Sequence, residues 1–351
     1  VYYNITKRTG LFLVAYANLM ANTGALTPGI DPEDTIDGMS IERIETLIEQ
    51  LKRKEYCWKP TRRTYILKKD GKNKRPFGMP GWKDKMLQEV LRLVLQAYYE
   101  PQFRACSHGF RPNRGCHTAL CAINRAWNGI NWFIEGDIKG CFEHIRHEVI
   151  LEILARKIKD TDFLTLIAGM LKAGYVEDWV YHQTYSGTPQ GGVVSPLLMN
   201  VVLNEFDEYV EDVLIPQYTK GDKRKANREH LRLRQQACVE RKKGNYLEAK
   251  RLHKRYSQLP SQWYEDPEYR RVKYLRYADD TLYGVIGTRE DAEAIKHAAK
   301  TFLWDRLQLE LSEEKTLITH ATDKKARFLN YEIQVVKNDT QKAKVTVEGT
   351  R

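Results

Sequence analysis

The chain has 351 residues, 42% of them hydrophobic, and a formal net charge of +11. This hydrophobic content supports a sizeable core and excludes a compositionally disordered chain. No apolar run approaches the ~20 residues that span a bilayer, so we expect no membrane partner, and the excess positive charge favours an anionic partner such as nucleic acid.

The first 130 residues predict several helices and one pair of strands. Ser40 is a favourable N-cap for a helix whose apolar residues recur at the spacing of one helical face. Asp70-Gly71 is typical of a tight turn between two strands. The predicted helices cover 11–20, 41–51, 84–99 and 117–128, and the two strands lie within 62–76.

The remaining residues mix strands and helices. We predict a buried strand at 132–138, a hairpin and turn at 181–192, a strand–turn–strand at 273–286, and closing strands at 316–320, 327–336 and 343–347. Helices are predicted at 147–159, 196–214 and 290–307. Because the hairpins imply antiparallel pairing, the fold class is α+β, with an antiparallel sheet packed on helices.

The excess charge lies in one stretch. Residues 217–276 contain 18 Lys and Arg against 7 Asp and Glu. The net charge of this stretch, 18 − 7 = +11, equals the net charge of the whole chain. Its middle, 229–256, is predicted to be helical and polar on most faces. Two interpretations stay open: a solvated helical insertion, or a phosphate-binding surface in which the interleaved aromatic residues contact RNA.

Three carboxylates form the candidate catalytic group. Asp279 and Asp280 are adjacent at the predicted hairpin tip, although a plain turn also explains a Tyr-x-Asp-Asp string. Asp137 ends the buried strand, where it would point into a cleft. Carboxylates on neighbouring strands repel one another without a cation, and they suit two Mg²⁺ ions, with Mn²⁺ as the alternative.

A loop with two glycines follows. In the run 187–196, Pro189-Gln190 precedes Gly191 and Gly192, and a helix is predicted just behind. Glycines allow the backbone to approach a ligand closely, and a helix N-terminus offers free N–H groups. The residues alone leave two interpretations open: a ligand-binding loop or a simple helix entry.

These motifs, in this order, resemble the palm of reverse transcriptases, in particular the group II intron-encoded maturase branch. Ala278 within Tyr277-Ala278-Asp279-Asp280 is the usual form in that branch. The further matching stretches are 75–80, 107–114, 309–316 and 327–331. The resemblance implies a right-hand polymerase fold with fingers and palm, and a chain that ends before the thumb.

The resemblance also implies roles for single residues. Asp137 and Asp279 would ligate both metal ions, helped by the Ile138 carbonyl, and Asp280 would be a third carboxylate, either ligand or support. Phe142 would be the steric gate that excludes a 2′-hydroxyl and so selects deoxynucleotides. The other expected nucleotide-binding residues are Lys68, Arg75 and Gln190. Lys315 would protonate pyrophosphate or, equally, be a solvated lysine at a helix end.

The expected domains follow the motifs. They are an N-terminal extension (1–55), fingers (56–130), a first palm part (131–215), a basic helical insertion (216–273) and a second palm part (274–351). The extension and the insertion lie outside a minimal palm, so we expect both to contact RNA.

The resemblance implies an RNA-directed DNA polymerase that also binds its intron RNA to assist splicing and mobility. Its partners would be intron RNA, an RNA template with a DNA primer, deoxynucleoside triphosphates and, through an exposed palm, a second copy of the chain. The alternatives are an RNA-binding splicing cofactor without polymerase activity, or a retron or diversity-generating reverse transcriptase. The expected location is a bacterial cytoplasm, with an organelle as the alternative.

Overall fold

The computed structural model describes residues 1–22, 27–35, 39–67, 71, 74–188, 191–263 and 266–336, and the backbone of 344–349. The helices are α1 Tyr2–Thr6, α2 Thr9–Met20, α3 Ile41–Lys52, α4 Trp82–Tyr99, α5 Cys116–Ala126, α6 Cys141–His144, α7 His147–Lys157, α8 Thr161–Lys172, α9 Ser195–Tyr209, α10 Ile215–Gln217, α11 Arg228–Lys242, α12 Tyr246–Ser257 and α13 Arg289–Leu307. The strands are β1 Thr61–Leu67, β2 Lys74–Met79, β3 Trp132–Asp137, β4 Tyr175–Glu177, β5 Val180–His182, β6 Arg271–Tyr277, β7 Asp280–Ile286, β8 Leu317–His320, β9 Ala326–Phe328, β10 Tyr331–Val336 and β11 Lys344–Gly349.

The chain divides into two compact units. Unit 1 comprises Val1–Arg104, Lys139–Phe206 and Leu303–Glu310, and unit 2 comprises Ala105–Ile138, Asp207–Phe302 and Leu311–Arg351. The mixture of helices with largely antiparallel sheets confirms the predicted α+β class.

Unit 2 is built on a four-stranded sheet in the order β6-β7-β3-β8, in which every neighbouring pair is antiparallel. A second sheet has the order β11-β10-β9. The apolar core joins α5 to both sheets, since Leu120, Phe133, Leu282 and Phe328 belong to one buried cluster. This core places the ends of β3 and β7 side by side.

Unit 1 holds the other four-stranded sheet, in the order β2-β1-β4-β5, together with the helices of the N-terminal third. Ser40 caps α3 as predicted, because its hydroxyl accepts the Arg43 N–H at 3.2 Å. The β1–β2 pair is also confirmed, with Leu67 opposite Lys74. The predicted Asp70-Gly71 turn lies largely outside the described residues.

Two predicted strand boundaries are wrong. The hairpin expected at 181–192 is formed by β4 and β5 and turns at Asp178-Trp179. The strand expected at 327–336 is split into β9 and β10 by Leu329-Asn330. In both turns the two central residues have positive φ, the geometry of a type I′ hairpin, but neither contains the glycine that usually reveals one.

The basic insertion forms a hairpin of two helices, α11 and α12. Gly244 has φ +83° and lies between α11 and α12, where a left-handed residue reverses the chain. Leu233, Ala237 and Leu252 form a small core between the two helices. The hairpin stands on isolated bridges between Lys220 and Arg270 and between Ala226 and Gln262, so it leaves and rejoins unit 2 at neighbouring points.

Within the part of the chain that the structure describes, no helix has both the length and the apolar character needed to cross a bilayer.

Candidate active site

The carboxylates of unit 2 meet where β3 and β7 lie side by side. Asp137, the last residue of β3, is directly opposite Asp280, the first residue of β7. Residues opposite one another in an antiparallel pair share a face of the sheet, with Cβ atoms about 4.5–5.5 Å apart. Tyr277 is opposite Asp280 on its other side. Asp279 occupies the turn between them, so the three predicted acids are neighbours.

The turn that carries Asp279 is unusually tight. Only Ala278 and Asp279 separate β6 from β7, and Ala278 has φ +55°. An L-residue with a side chain adopts this left-handed conformation at a cost of roughly 1–2 kcal/mol. The surrounding structure must therefore hold Ala278, which is buried with 5% of its surface exposed.

A glycine allows the two acid-bearing strands to close. A Cβ on Gly136 would lie 2.2 Å from the Thr281 hydroxyl oxygen, which occupies the space that a side chain would need. The Thr281 hydroxyl donates to the Gly136 carbonyl at 3.3 Å. On the other side, Ser312 N–H donates to the Asp137 carbonyl at 2.8 Å. The backbone at Gly136 and Asp137 is therefore held by Thr281 of β7 and by Ser312.

The acids crowd one another electrostatically. Burial, and then the charges of Asp279 and Asp137, raise the pKa of Asp280 to about 7, whereas Lys315 acts in the opposite direction. Lys315 Nζ lies 3.0 Å from Asp137 Oδ2, and 68% of the lysine side chain is exposed. Lys315 lies in a turn that precedes β8, so the expectation of a helix-end lysine is wrong.

This donor set fits a hard divalent cation. Carboxylate oxygens are the ligands that Mg²⁺ prefers, and three mutually repelling acids gain stability when a cation joins them. Among the residues that the structure describes, no three His, Cys, Asp or Glu side chains are already arranged as a complete metal site. The fit therefore rests on the chemistry of the donors and on their adjacency.

The predicted steric gate, Phe142, belongs to unit 1. It lies in α6 after Gly140, whose φ is +52°, and 6% of its surface is exposed. Thr188 N–H donates to the Phe142 carbonyl at 2.8 Å, and Gly187 N–H donates to the Ile145 carbonyl at 2.7 Å. The start of the predicted Pro-Gln-Gly loop is thus bonded to the segment that carries Phe142.

The glycine after the Pro-Gln pair has a structural partner. Gly191 has φ +104°, and a Cβ there would lie 2.5 Å from the Gly78 carbonyl oxygen and 2.6 Å from Phe77 Cζ. The sequence predicts a close approach of this loop to a ligand, whereas the close approach that the structure shows at Gly191 is to β2. Val193 N–H donates to Gln88 Oε1 at 2.8 Å, which ties the loop to α4 as well.

The other residues predicted to bind the nucleotide are Arg75, Lys68, Gln190 and Ile138. Arg75 is exposed on β2, opposite Ile66. Lys68 and Gln190 lie outside the described residues. The Ile138 side chain is buried, and Ile138 bridges to Leu311.

Two charged residues of unit 2, Arg276 and Asp207, were not predicted from the sequence. Arg276 and Asp207 are both completely buried and form an ion pair at 2.6 Å next to the turn that carries Asp279. The available signal was a charged residue between the apolar Leu275 and Tyr277, directly before the Tyr-Ala-Asp-Asp motif. The stretch at 107–114, noted only for its family resemblance, also contacts this turn: a Cβ on Gly109 would lie 2.4 Å from the Ala278 nitrogen.

Comparisons with known proteins identify the family. Residues 66–221 match the family model described as reverse transcriptase (RNA-dependent DNA polymerase). The chain is 44% identical to the group II intron-encoded protein LtrA of Lactococcus lactis subsp. cremoris, over 97% of this chain and 57% of LtrA. It is 37% identical to the putative COX1/OXI3 intron 1 protein of Saccharomyces cerevisiae, over 95% of this chain and 39% of that protein. It is 31% identical to protein YkfC of Escherichia coli, over 87% of this chain and 75% of YkfC.

The chain thus spans little more than half the length of LtrA. The matches cover nearly all of this chain and include the strands that carry the three acids. Reverse transcriptases in general use divalent metal ions, which agrees with the donor set described above. The chain belongs to the reverse transcriptases, as a member of the group II intron-encoded branch.

Proposed function

We propose that this chain is the polymerase part of a group II intron maturase and performs RNA-directed DNA synthesis. The observation that carries the proposal is the register of Asp137 opposite Asp280, with Asp279 in the two-residue turn beside them. A protein that only binds RNA gains nothing from three adjacent acids, because an anionic ligand is repelled by them.

Asp137, Asp279 and Asp280, with the Ile138 carbonyl, would hold two Mg²⁺ ions, and Mn²⁺ would suit the same oxygens. When bound, such ions activate the primer 3′-hydroxyl and neutralise charge on the triphosphate and the departing pyrophosphate. The Gly136–Thr281 contact and the Ser312 bond keep the Asp137 backbone in place as charge changes around it.

Four further residues would bind the incoming nucleotide. Arg75 and Lys68 would hold its phosphates, since cationic side chains with several donors suit phosphate oxygens. Gln190 would contact the nucleotide or the template-primer. Phe142 would exclude a 2′-hydroxyl, and the bonds from Gly187 and Thr188 would keep the Phe142 segment in place.

Primer extension tests the polymerase proposal. We expect extension of a DNA primer on an RNA template with Mg²⁺ and deoxynucleotides. The extension rate should fall at least 1,000-fold in Asp279→Ala, because this variant lacks a carboxylate that would hold the metal ions. Such a loss corresponds to ~4 kcal/mol of transition-state stabilisation. The matched control is Asp323→Ala, an exposed acid of the same unit paired with His320. Equal extension by the parent and Asp279→Ala would reject the proposed site. A parent that binds RNA tightly yet never extends would point to a splicing cofactor.

We further propose that the α11–α12 hairpin binds RNA backbone. Leu233, Ala237 and Leu252 form its small core, and basic side chains are exposed along both helices. Lys250 and Lys254 are exposed on α12. Each phosphate contact contributes about 0.7–0.9 to the slope of log affinity against log salt concentration.

The salt dependence of RNA binding tests this surface. Lys250→Gln with Lys254→Gln should make the slope shallower by about 1.5 and weaken binding at low salt. The control is Lys157→Gln with Lys159→Gln, an equal charge change at exposed positions around the end of α7. Equal slopes for the two variants would exclude a specific role for the hairpin, whatever the outcome of primer extension.

A further inference from the structure

A buried ion pair lies next to the turn that carries Asp279. Arg276 of β6 donates through Nε to Asp207 Oδ1 at 2.8 Å and through Nη2 to Asp207 Oδ2 at 2.6 Å. Both side chains are fully buried. The Tyr274 hydroxyl donates to the same Asp207 oxygen at 2.8 Å. The Asp207 carboxylate is therefore satisfied entirely by β6.

Stability alone does not explain this pair. Desolvating two charges costs several kcal/mol, and apolar residues of similar volume often stabilise a core as well as a buried ion pair does. A fully buried arginine at the end of three consecutive buried residues of β6 needs another reason. Its remaining contacts supply one.

The other side of the guanidinium holds the catalytic turn. Arg276 Nη1 donates to the Ala278 carbonyl at 2.9 Å, two residues further along its own chain. Ala278 is the residue with φ +55°, and its carbonyl precedes Asp279. A hydrogen bond to that carbonyl fixes the orientation of the peptide unit between Ala278 and Asp279, and therefore the direction in which Asp279 leaves the turn.

The arginine is itself held by the loop that precedes α5. Arg276 N–H donates to the Cys106 carbonyl and His108 N–H donates to the Arg276 carbonyl, both at 2.9 Å. Arg276 Nη2 also donates to the Ser107 hydroxyl at 2.8 Å. The guanidinium is thus attached to α9, to this loop and to the turn, and it can move with respect to none of them without losing a bond.

We infer that Arg276, held by Asp207, is a positioning residue that fixes the left-handed turn at Ala278 and thereby presents Asp279 for catalysis. This inference rests on the proposed polymerase function. According to this inference, the function of the buried pair is to hold the geometry of the turn at Ala278. Mutations should therefore be able to change the geometry of this turn without changing the stability of unit 2.

Three variants separate the two roles. Tyr274→Phe is the matched control: it removes one bond to Asp207 from the same strand but leaves the bond to Ala278. Arg276→Lys keeps the buried charge but lacks the fork that joins Asp207 to the Ala278 carbonyl. The triple variant Asp207→Leu, Tyr274→Phe, Arg276→Met removes both charges and the guanidinium donor to the Ala278 carbonyl.

Turnover, thermal unfolding and amide hydrogen exchange of the peptide around 277–280 are measured for each. Tyr274→Phe should keep kcat within about twofold. Arg276→Lys should lower kcat about 100-fold, the loss associated with a 1 Å misplacement, with little change in KM and with faster exchange at the turn. The triple variant should regain a Tm near that of Tyr274→Phe, yet keep the low kcat and the fast exchange.

A triple variant with parental kcat and parental exchange would overturn the inference, since the pair would then serve stability alone. Parental exchange at the turn in Arg276→Lys would overturn it as well. If the parent itself extends no primer, the proposed function fails, and the exchange comparison between Arg276→Lys and Tyr274→Phe still decides whether the arginine holds the turn.

Discussion

Substituting Gly109 by alanine should displace the turn at Ala278 and Asp279, because the added methyl group would collide with Ala278. An added Cβ would lie 2.4 Å from the Ala278 nitrogen, 3.0 Å from its Cα and 3.1 Å from its Cβ. These are largely backbone atoms that cannot rotate away, and ordinary contact begins near 3.4 Å. The turn must therefore retreat by about 1 Å, a misplacement that costs about 100-fold in rate, or ~2.7 kcal/mol of barrier.

Single-turnover primer extension measures this loss, and urea unfolding measures the accompanying overpacking, which we expect to cost about 1–3 kcal/mol. Gly115→Ala is the control, because that glycine follows the same loop, has extended backbone and has no atom within 4 Å of the added Cβ. If Gly109→Ala extends primers at the rate of Gly115→Ala, the contact with Ala278 does not position the acids and the reasoning fails.

Three further outcomes are expected. Burial and two nearby arginines hold the pKa of His108 at about 4, below its unfolded value near 6.5. The free energy of unfolding should therefore fall by about 2 kcal/mol as pH drops from 7 to 4.5, because the unfolded chain binds a proton that the folded chain does not. Urea unfolding at several pH values should show a weaker dependence of this free energy on pH in His108→Gln. Phe142→Val should raise ribonucleotide incorporation about 10-fold or more in competition assays, and an unchanged ratio would remove Phe142 as the gate. Gln88→Leu removes the acceptor of the half-buried Val193 N–H, which should cost about 0.5–1.5 kcal/mol in urea unfolding, against no loss in a surface substitution such as Gln102→Leu.

Much of the fold and the acidic trio could be predicted from the sequence. Ser40 marked its helix because a hydroxyl can satisfy a free N–H at the N-terminus, and the structure shows that bond. The Asp279-Asp280 pair lies between two apolar runs, which predicts two buried strands joined by a tight turn. These features depend on neighbours within a few positions, which is why local pattern was sufficient.

The features that escaped prediction depend on distant or unusual residues. Asp207 and Arg276 are 69 positions apart, and no local rule joins a carboxylate in a helix to a guanidinium in a strand. Trp179 and Leu329 adopt positive φ although both are bulky, so the turns that they form carry no glycine or asparagine-glycine signal. The reversal of the chain at Gly244, which separates α11 from α12, was not predicted.

The central place of β3 in the order β6-β7-β3-β8 has a consequence for how the protein is made. Both partners of this strand, β7 and β8, follow it late in the chain. At roughly 5–20 residues per second, the ~180 residues from Asp137 to the end of β8 take about 10–40 s to synthesise. During that time the apolar Phe133 and Ile134 lack their partner strands, and the three acids cannot assemble before most of the chain has emerged.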